Sequence, residues 1–231
     1  MKISQNHSNR HLHNWLIYDI NDAWLAKYTH LYKGMLYDLG CGEAPYKNWF
    51  LNFADHYVGV DWSDSLHNIQ ADLNANLSEV LPIDNAVAET VVSISVMEHL
   101  SDPQLMLCEA FRILKPGGNF IAQVPWQWGI HEDPYDFFRF TPYGLENLLS
   151  SAGFEDIVIQ PQSGCFTMLA MKFNYLSKRL IRGPRVLQYI LKLPLYLIWY
   201  LTQKIAPLLD TLDKNWNLET TGYFIIARKK I

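Results

Sequence analysis

A glycine-rich loop directly after a hydrophobic run is the most informative feature of this chain. Asp38 lies near the end of the run, and Gly40 and Gly42 follow it. Glycine has no Cβ, so such a loop lets a ligand approach the main chain closely. A second acid, Asp61, ends the next hydrophobic run, in the position where nucleotide-binding α/β proteins hold ribose hydroxyls. Together these residues predict an adenosine-containing ligand.

The acid beside the loop narrows the class of ligand. A carboxylate at Asp38 repels a pyrophosphate but attracts an ammonium group. This favours a nucleoside that carries an amino acid over a nicotinamide dinucleotide, whose binding loops tolerate phosphate. A Gly-x-Gly after a strand is by itself equally compatible with a tight turn, so the interpretation depends on both acids.

The elements that position these residues alternate along the chain. The runs MLYDLG, YVGVD, TVVSIS and NFIAQVP are apolar throughout, which is typical of parallel strands covered on both faces. FEDIVIQ and GYFIIARKK predict two more strands. Asp102 and Thr141, each followed by proline, are predicted to cap helices. An amphipathic helix over residues 14–32 begins at Asn14, and its candidate buried positions are Trp15, Ile17, Ile20, Trp24 and Leu25. The alternation predicts an α/β fold with a parallel sheet.

Composition and charge divide the chain into unequal parts. Of 231 residues, 49% are apolar and 18% charged, which excludes disordered and collagen-like proteins. Three distant cysteines fit no disulfide framework, which predicts a reducing compartment. The N-terminus is polar and has no signal-peptide pattern, so a cytoplasmic location is predicted. Residues 1–156 hold 20 acids and 8 Lys or Arg, whereas residues 157–209 hold seven bases and no acid. The basic part faces different surroundings.

We therefore predict three regions. Residues 1–34 form an N-terminal helical cap, residues 35–160 and 221–231 form the core domain, and residues 161–220 are a basic, apolar helical insertion. Within the insertion Pro184, Pro194 and Pro207 are predicted to break helices. Its longest uncharged run is too short to span a bilayer.

At this point the sequence closely resembles the class I S-adenosylmethionine-dependent methyltransferases called type 11. Their motif D-x-G-x-G-x-G stands here as residues 38–44, with Ala44 in place of the third glycine. The segments Ala71-Asp72-Leu73, SISVMEHLSDP and FRILKPGGNF match further family motifs in the same order. The resemblance implies a Rossmann-like, mostly parallel seven-stranded sheet with helices on both faces, plus the helical insertion before the last strand.

The resemblance also implies S-adenosylmethionine as cofactor. It assigns to that cofactor residues at strand ends and in the loops after them: Asp38, Gly40, Cys41, Gly42, Asp61, Trp62, Asp72, Leu73, Ser95 and Val96. Asp38 and the loop would hold the methionine part, Asp61 the ribose, and Asp72 the adenine amino group. Cys41 is also explained as a small residue that fits the loop. Glu98 and His99 follow the fourth strand, where bracing of the loop is as well supported as catalysis.

The segment after the fifth strand is predicted to bind the methyl acceptor. It resembles a bacterial subset with H-E-x-P-x-D-x-x-R-x-T, here residues 131–141. His131 is the candidate general base, with Glu132 second and Arg139 as a further catalytic candidate. The predicted substrate-binding residues are aromatic with one acid: Trp126, Trp128, Tyr135, Asp136 and Phe137. The alternative is a self-bracing loop in which Arg139 pairs with Asp136 or Glu132.

Metal binding is not predicted. His7, His11 and His13 lack a supporting carboxylate or cysteine pattern, and a solvated N-terminus explains them better.

The predicted function is methyl transfer to a small-molecule, sugar or lipid-linked acceptor. A cofactor-binding scaffold without transfer activity and, less well supported, a nicotinamide-dependent oxidoreductase are the alternatives. The basic insertion, through residues 165–209, predicts peripheral contact with the inner face of an anionic membrane. A homodimer interface explains the insertion equally well. Nucleic acid is not a predicted partner, since the rest of the chain is acidic.

Overall fold

The hydrophobic runs form one sheet in a computed structural model that describes residues 3–5, 7–63 and 69–230. Its seven strands are β1 (Met35–Leu39), β2 (His56–Asp61), β3 (Leu73–Asn74), β4 (Ala88–Ile94), β5 (Leu114–Pro125), β6 (Glu155–Pro161) and β7 (Gly222–Arg228). The strand order is β3-β2-β1-β4-β5-β7-β6, and β7 alone is antiparallel to its neighbours. The predicted Rossmann-like, mostly parallel seven-stranded sheet is confirmed.

Helices cover both faces of this sheet. They are α1 (Trp15–Lys27), α2 (Lys47–Phe50), α3 (Pro103–Ile113), α4 (Pro142–Ser151), α5 (Cys165–Leu180) and α6 (Arg185–Asp210). Along β5, Phe120 and Ala122 pack in the cluster that contains α3 and α4 residues, whereas Ile121 packs in the cluster with Leu25 of α1. Successive strand residues point to opposite faces, so one buried strand serves both layers.

Local chemistry sets the start of two helices. The Asp102 carboxylate accepts a hydrogen bond from Gln104 N at 3.1 Å, and the Thr141 hydroxyl accepts one from Gly144 N at 3.1 Å. Each cap satisfies a main-chain donor that has no partner within its helix. Both predicted caps are confirmed.

The prediction for α1 was wrong in detail. Asn14 is the N-cap residue of α1, as predicted, but the helix ends at Lys27. The Asn14 side chain makes no capping hydrogen bond; it accepts from His11 N at 2.7 Å and donates to Tyr175 Oη at 2.9 Å. Of the five positions predicted to be buried, only Leu25 is buried. Leu16 and Asp22, which were not predicted, are buried too. One side of α1 faces an open cavity, so apolar residues there stay partly exposed.

The helices α5 and α6 lie between β6 and β7 in the chain and pack against each other. Pro184 precedes α6, as expected of a helix breaker, but Pro194 and Pro207 lie inside its 26 residues. The expectation that these two prolines end helices was wrong, because a long helix retains most of its hydrogen bonds when one donor is lost. Within the described residues, no helix has the length and apolarity needed to cross a bilayer.

Candidate functional site

A cavity of about 800 Å³ opens at the carboxyl ends of β1, β2, β4 and β5. This is the edge of an α/β sheet where ligands bind, and the volume is that of a ligand pocket. Its wall combines the glycine loop, the start of the loop after β4, the loop after β5, α1 and α5. The fold thus brings most of the predicted site residues to one place.

The glycine loop presents bare main chain to this cavity. Gly40 has φ +83°, and a Cβ placed on it would lie 2.3 Å from Val96 Cγ2, so a side chain fits neither the backbone nor the space. Gly42 has φ +52°, and no heavy atom lies within 4 Å of an added Cβ. A ligand can therefore reach the main chain at Gly42, as the sequence predicted.

Asp38 is the buried acid of the site. It is 2% exposed and accepts a hydrogen bond from the Tyr57 hydroxyl at 2.7 Å. Burial raises the pKa of Asp38 to about 7. In the described part of the chain no Lys or Arg forms an ion pair with it. A buried carboxylate beside a ligand cavity fits an incoming ammonium group, which would supply the missing positive charge.

Asp61 holds the loop as well as facing the cavity. Its carboxylate accepts from Gly42 N at 2.6 Å and from Trp62 N at 2.7 Å. Trp62 lies edge-on to Tyr135, with ring centroids 6.3 Å apart. Asp61 therefore ties the end of β2 to the glycine loop, and its remaining lone pairs are available to ribose hydroxyls.

Three other predicted cofactor residues line the same cavity. Ser95 and Val96 continue β4 into its loop, and Ser95 has the left-handed φ of +55°, which turns the chain sharply there. Cys41 is buried, and its Sγ lies 2.8 Å from a Cβ placed on Gly59. This crowding explains why glycine is needed at Gly59, beside Cys41.

Asp72 and Leu73 are not part of the cavity wall. Asp72 accepts from Gly59 N at 2.9 Å and pairs with Lys47 at 2.8 Å. These contacts lower the pKa of Asp72. Its carboxylate is already used in bracing β2, and a contact with adenine stays a prediction.

Arg139 braces the loop after β5. It donates to both oxygens of Asp136, at 2.6 and 2.7 Å, and to the carbonyl oxygen of Gly129 at 2.9 Å. Burial alone would raise the pKa of Asp136. Hydrogen bonds from Arg139 and from the main-chain N–H of His131 instead hold this pKa at about 2. Neither residue lines the cavity. The structure thus places Arg139 and Asp136 in the self-bracing arrangement, against the catalytic and substrate-binding roles predicted for them.

The aromatic residues of this loop divide between wall and core. Trp128, Tyr135 and Phe137 line the cavity. Trp126 lies outside the wall and packs on Tyr223, with ring centroids 5.7 Å apart. Its main-chain N–H donates to Thr221 O at 2.8 Å, which extends the β5–β7 pairing by one step. The prediction that Trp126 binds substrate is not supported by this placement.

His131 and Glu132 lie in the cavity wall. His131 lies beside Glu98 and His99, which follow β4. His131 Nε2 is 3.9 Å from Glu98 Oε1, and His99 Nε2 is 3.6 Å from the same oxygen. Glu98 is fully buried, and burial raises its pKa to about 8. The main-chain N–H of Phe137 donates to Glu98 O at 2.8 Å, so the two loops are joined at this point.

The N-terminal region and α5 contribute residues that sequence reasoning missed. His13 is 3% exposed, and its Nε2 accepts from Lys178 Nζ at 3.4 Å. Burial and the nearby lysine lower the pKa of His13 to about 4. Tyr175 packs on both His13 and Trp128. The expectation of solvated histidines was wrong for His13, because α5, far along the chain, covers it.

Comparison with known proteins shows what the sheet domain is similar to. Residues 37–122 match the profile of the family described as Methyltransferase domain. This stretch of the chain is similar to a methyltransferase domain. The matched residues include the glycine loop, Asp61 and all of β4. S-adenosylmethionine is the cofactor that such a domain uses, and the bare loop with its buried acid fits it.

Similarity between this chain and its relatives covers only part of each chain. A probable S-adenosylmethionine-dependent methyltransferase of Mycolicibacterium smegmatis is 30% identical over 131 residues, which is 51% of each chain. One of Mycobacterium tuberculosis is 24% identical over 162 residues, 61% of this chain and 59% of the relative. The chain thus spans about half the length of these curated relatives. A crystal structure of a SAM-dependent methyltransferase from Archaeoglobus fulgidus has a TM-score of 0.57 at 17% identity, covering 90% of this chain and 92% of that one, which shows the shared fold.

Proposed function

We propose that this protein transfers a methyl group from S-adenosylmethionine to a hydroxyl group of a small-molecule, glycan or lipid-linked acceptor. The observation that carries the proposal is the pairing of two acids with one bare loop. Asp38 is buried at the cavity without a cation in the described chain, and Asp61 fixes Gly42 within it. Ammonium and ribose are the groups that such an arrangement recognises.

The cofactor brings the methyl group already activated on a sulfonium. The protein therefore has to align the acceptor oxygen and receive its proton. Trp128, Tyr135 and Phe137 supply an apolar wall for the acceptor, and His131 lies beside them. Deprotonation of a hydroxyl at the cluster of Glu98, His99 and His131 is the step we assign to this chain.

Asp61→Ala is expected to weaken binding of S-adenosylmethionine by about 1.5–3 kcal/mol, roughly 10- to 150-fold, since hydrogen bonds to a charged group are lost. The variant also frees the N–H of Gly42, for which alanine offers no acceptor. Isothermal calorimetry on the ligand-free protein measures the affinity. Asp84→Ala, at an exposed acid, is the control. Unchanged affinity in a folded variant would contradict the assignment, and comparable binding of NAD would favour the oxidoreductase.

The acceptor is proposed to be amphiphilic because of the hairpin formed by α5 and α6. No residue between Arg185 and Ile198 is buried, although this half of α6 is rich in large apolar side chains. The buried positions of α6 are Trp199, Gln203, Ala206 and Asp210. An exposed apolar surface of this extent is unusual on a soluble monomer and marks an interaction site.

Charge favours an anionic membrane as the partner of this surface. Residues 157–209 carry seven bases and no acid, and Arg179, Arg182 and Arg185 are exposed around the turn of the hairpin. Aromatic and aliphatic residues bordered by bases enter the headgroup boundary of a bilayer. Tyr175 and Lys178 of α5 line the cavity. A lipid-linked acceptor could thus keep its tail along the hairpin with its head in the cavity. The reducing compartment predicted from the cysteines corresponds to the cytoplasmic face.

We expect the protein to float with anionic liposomes at low salt and to be released as salt rises. Changing Arg179, Arg182 and Arg185 together to Gln should reduce flotation, since each base near an anionic surface contributes about 1 kcal/mol. Cofactor affinity should be unchanged. The matched control removes three bases outside the hairpin, Lys27, Lys33 and Lys214.

Two results would contradict membrane binding through the hairpin. If the protein stays in the soluble fraction and the triple variant changes its oligomeric state, the hairpin is a homodimer interface. If both triple variants reduce flotation equally, net charge and not the hairpin governs binding. Absence of transfer to any acceptor in fractionated cell extracts, with intact cofactor binding, would favour the scaffold.

A further inference from the structure

Three side chains from two loops converge at the acceptor side of the cavity. Glu98 and His99 lie in a short 3-10 turn after β4, and His131 lies in the loop after β5. One ligand atom from each residue lies within 4.8 Å of the other two. In the described part of the chain this is the one group of His, Cys, Asp and Glu side chains that converges in this way.

Glu98 has no hydrogen-bond partner for its carboxylate. The side chain is 0% exposed, and neither Oε1 nor Oε2 accepts a hydrogen bond. A buried carboxylate is costly unless it is paired or coordinates a cation. The two nearest groups are the Nε2 atoms of His99 and His131, at 3.6 and 3.9 Å from Oε1.

The other ring nitrogen of His99 shows how that imidazole is oriented. Its Nδ1 lies 2.9 Å from the main-chain oxygen of Tyr135, a group that only accepts hydrogen bonds. The hydrogen of a neutral His99 is therefore on Nδ1. This leaves the lone pair of Nε2 free, 3.6 Å from Glu98 Oε1.

The two nearest neighbours of His131 Nδ1 favour the same tautomer. Its Nδ1 lies 3.2 Å from Gly129 O and 3.3 Å from Asp136 Oδ2, both acceptors, with the Arg139 guanidinium farther away at 3.4 Å. Asp136 is itself held by Arg139 through two hydrogen bonds. A histidine whose Nδ1–H donates to a carbonyl or carboxylate, leaving Nε2 free, is the usual environment of a metal ligand.

We propose that Glu98, His99 and His131 bind one divalent transition-metal ion of the chemistry of Zn²⁺. Two imidazoles and one carboxylate form a set that zinc takes in open, reactive sites. An ion about 2.1 Å from each of two ligands can hold them at most about 4.2 Å apart. The distances from Glu98 Oε1 to the two Nε2 atoms already satisfy this limit. The sequence predicted no metal because these ligands come from separate loops.

The position of the site gives the ion a role in the proposed reaction. His99 and His131 line the cavity, so a remaining coordination position would face the acceptor. A metal ion lowers the pKa of a bound hydroxyl and holds its oxygen for attack. This role rests on the proposed methyl transfer, whereas binding of the metal does not.

The test is titration of Zn²⁺ into chelator-treated, untagged full-length protein, followed by calorimetry, and of Co²⁺, followed by its visible absorption. We expect one equivalent to bind. Glu98→Gln and His99→Ala should each weaken binding by more than about 100-fold, since loss of even an outer partner costs about 10- to 100-fold. His56→Ala, at an exposed histidine, should bind as wild type does.

Binding of S-adenosylmethionine is measured on the same samples, with thermal unfolding to show that each variant is folded. If no stoichiometric Zn²⁺ binds while the cofactor does, the metal site is disproved and the proposed function stands. If Glu98→Gln and His99→Ala both bind Zn²⁺ as tightly as wild type, the ion sits elsewhere and the assignment is wrong. Zinc bound without cofactor binding would support the site and remove the proposed function.

Discussion

Asp38→Asn is expected to weaken binding of S-adenosylmethionine by about 10- to 150-fold while making the ligand-free protein more stable. The affinity falls because a charged hydrogen bond, which contributes about 1.5–3 kcal/mol, becomes a neutral one. The stability rises because asparagine removes a buried negative charge but can still accept the hydrogen bond of Tyr57. Opposite signs of the two effects distinguish a ligand-binding acid from a structural one.

The stability of the wild-type protein is expected to depend on pH through Asp38. Burial raises the pKa of Asp38 to about 7, whereas an unfolded aspartate has about 3.9. Between these values the folded state binds more protons than the unfolded state, so the free energy of unfolding falls as pH rises from about 4 to about 7. At about 1.4 kcal/mol per pKa unit, the loss is about 4 kcal/mol at most. The asparagine of the variant does not titrate, so this contribution disappears.

Thermal unfolding of wild type and variant between pH 4 and 8, without cofactor, measures the difference. Other titrating groups cancel in that difference, because both proteins contain them. Asp156→Asn, at an exposed acid, is the matched control and should follow wild type. If Asp38→Asn is less stable than wild type at pH 8, the carboxylate has a stabilising partner and does not await an ammonium group.

His131→Ala is expected to lower turnover by about 10²- to 10⁴-fold, the usual contribution of a group that moves a proton in the transition state. Cofactor affinity should stay nearly unchanged, because the glycine loop, Asp38 and Asp61 are untouched. His131 lies in the cavity wall, 3.9 Å from the carboxylate of the buried Glu98. Loss of a metal ligand at the same position predicts the same direction of change.

Turnover is measured as cofactor consumption with the acceptor found by mass in fractionated cell extracts. His30→Ala, at an exposed histidine outside the cavity, should retain full activity. A rise in KM at constant kcat would make His131 an acceptor-binding residue. An unchanged rate would mean that His131 only braces the loop together with Arg139.

The position of the glycine loop and its two acids was predictable because it depends on short-range patterns. Apolar runs of five to seven residues define β1, β2 and β4, and Asp38, Gly40, Gly42 and Asp61 follow from their strand ends. Parallel strands bring their carboxyl ends to one edge of a sheet whatever covers it. Residue type and position along the strand therefore sufficed, and so did the caps at Asp102 and Thr141.

The acceptor half was decided by packing between distant segments. Trp126 and Trp128 are two residues apart and of one type, yet one packs on Tyr223 and the other lines the cavity. Arg139 was a catalytic candidate by its residue type, but its donors are used by Asp136 and Gly129. Which way such a side chain points depends on partners that periodicity does not reveal.

The sequence by itself thus determined the sheet, the glycine loop and the placement of the two acids at strand ends, since each depends on neighbours within a few positions. The tertiary structure decided what closes the cavity and what lies unpaired within it. His13 is buried by Tyr175 and Lys178, more than 160 residues away along the chain. Glu98 meets His131 only because the loops after β4 and β5 are joined. Burial and convergence of polar groups come from long-range packing, and that is why they appear only in the folded chain.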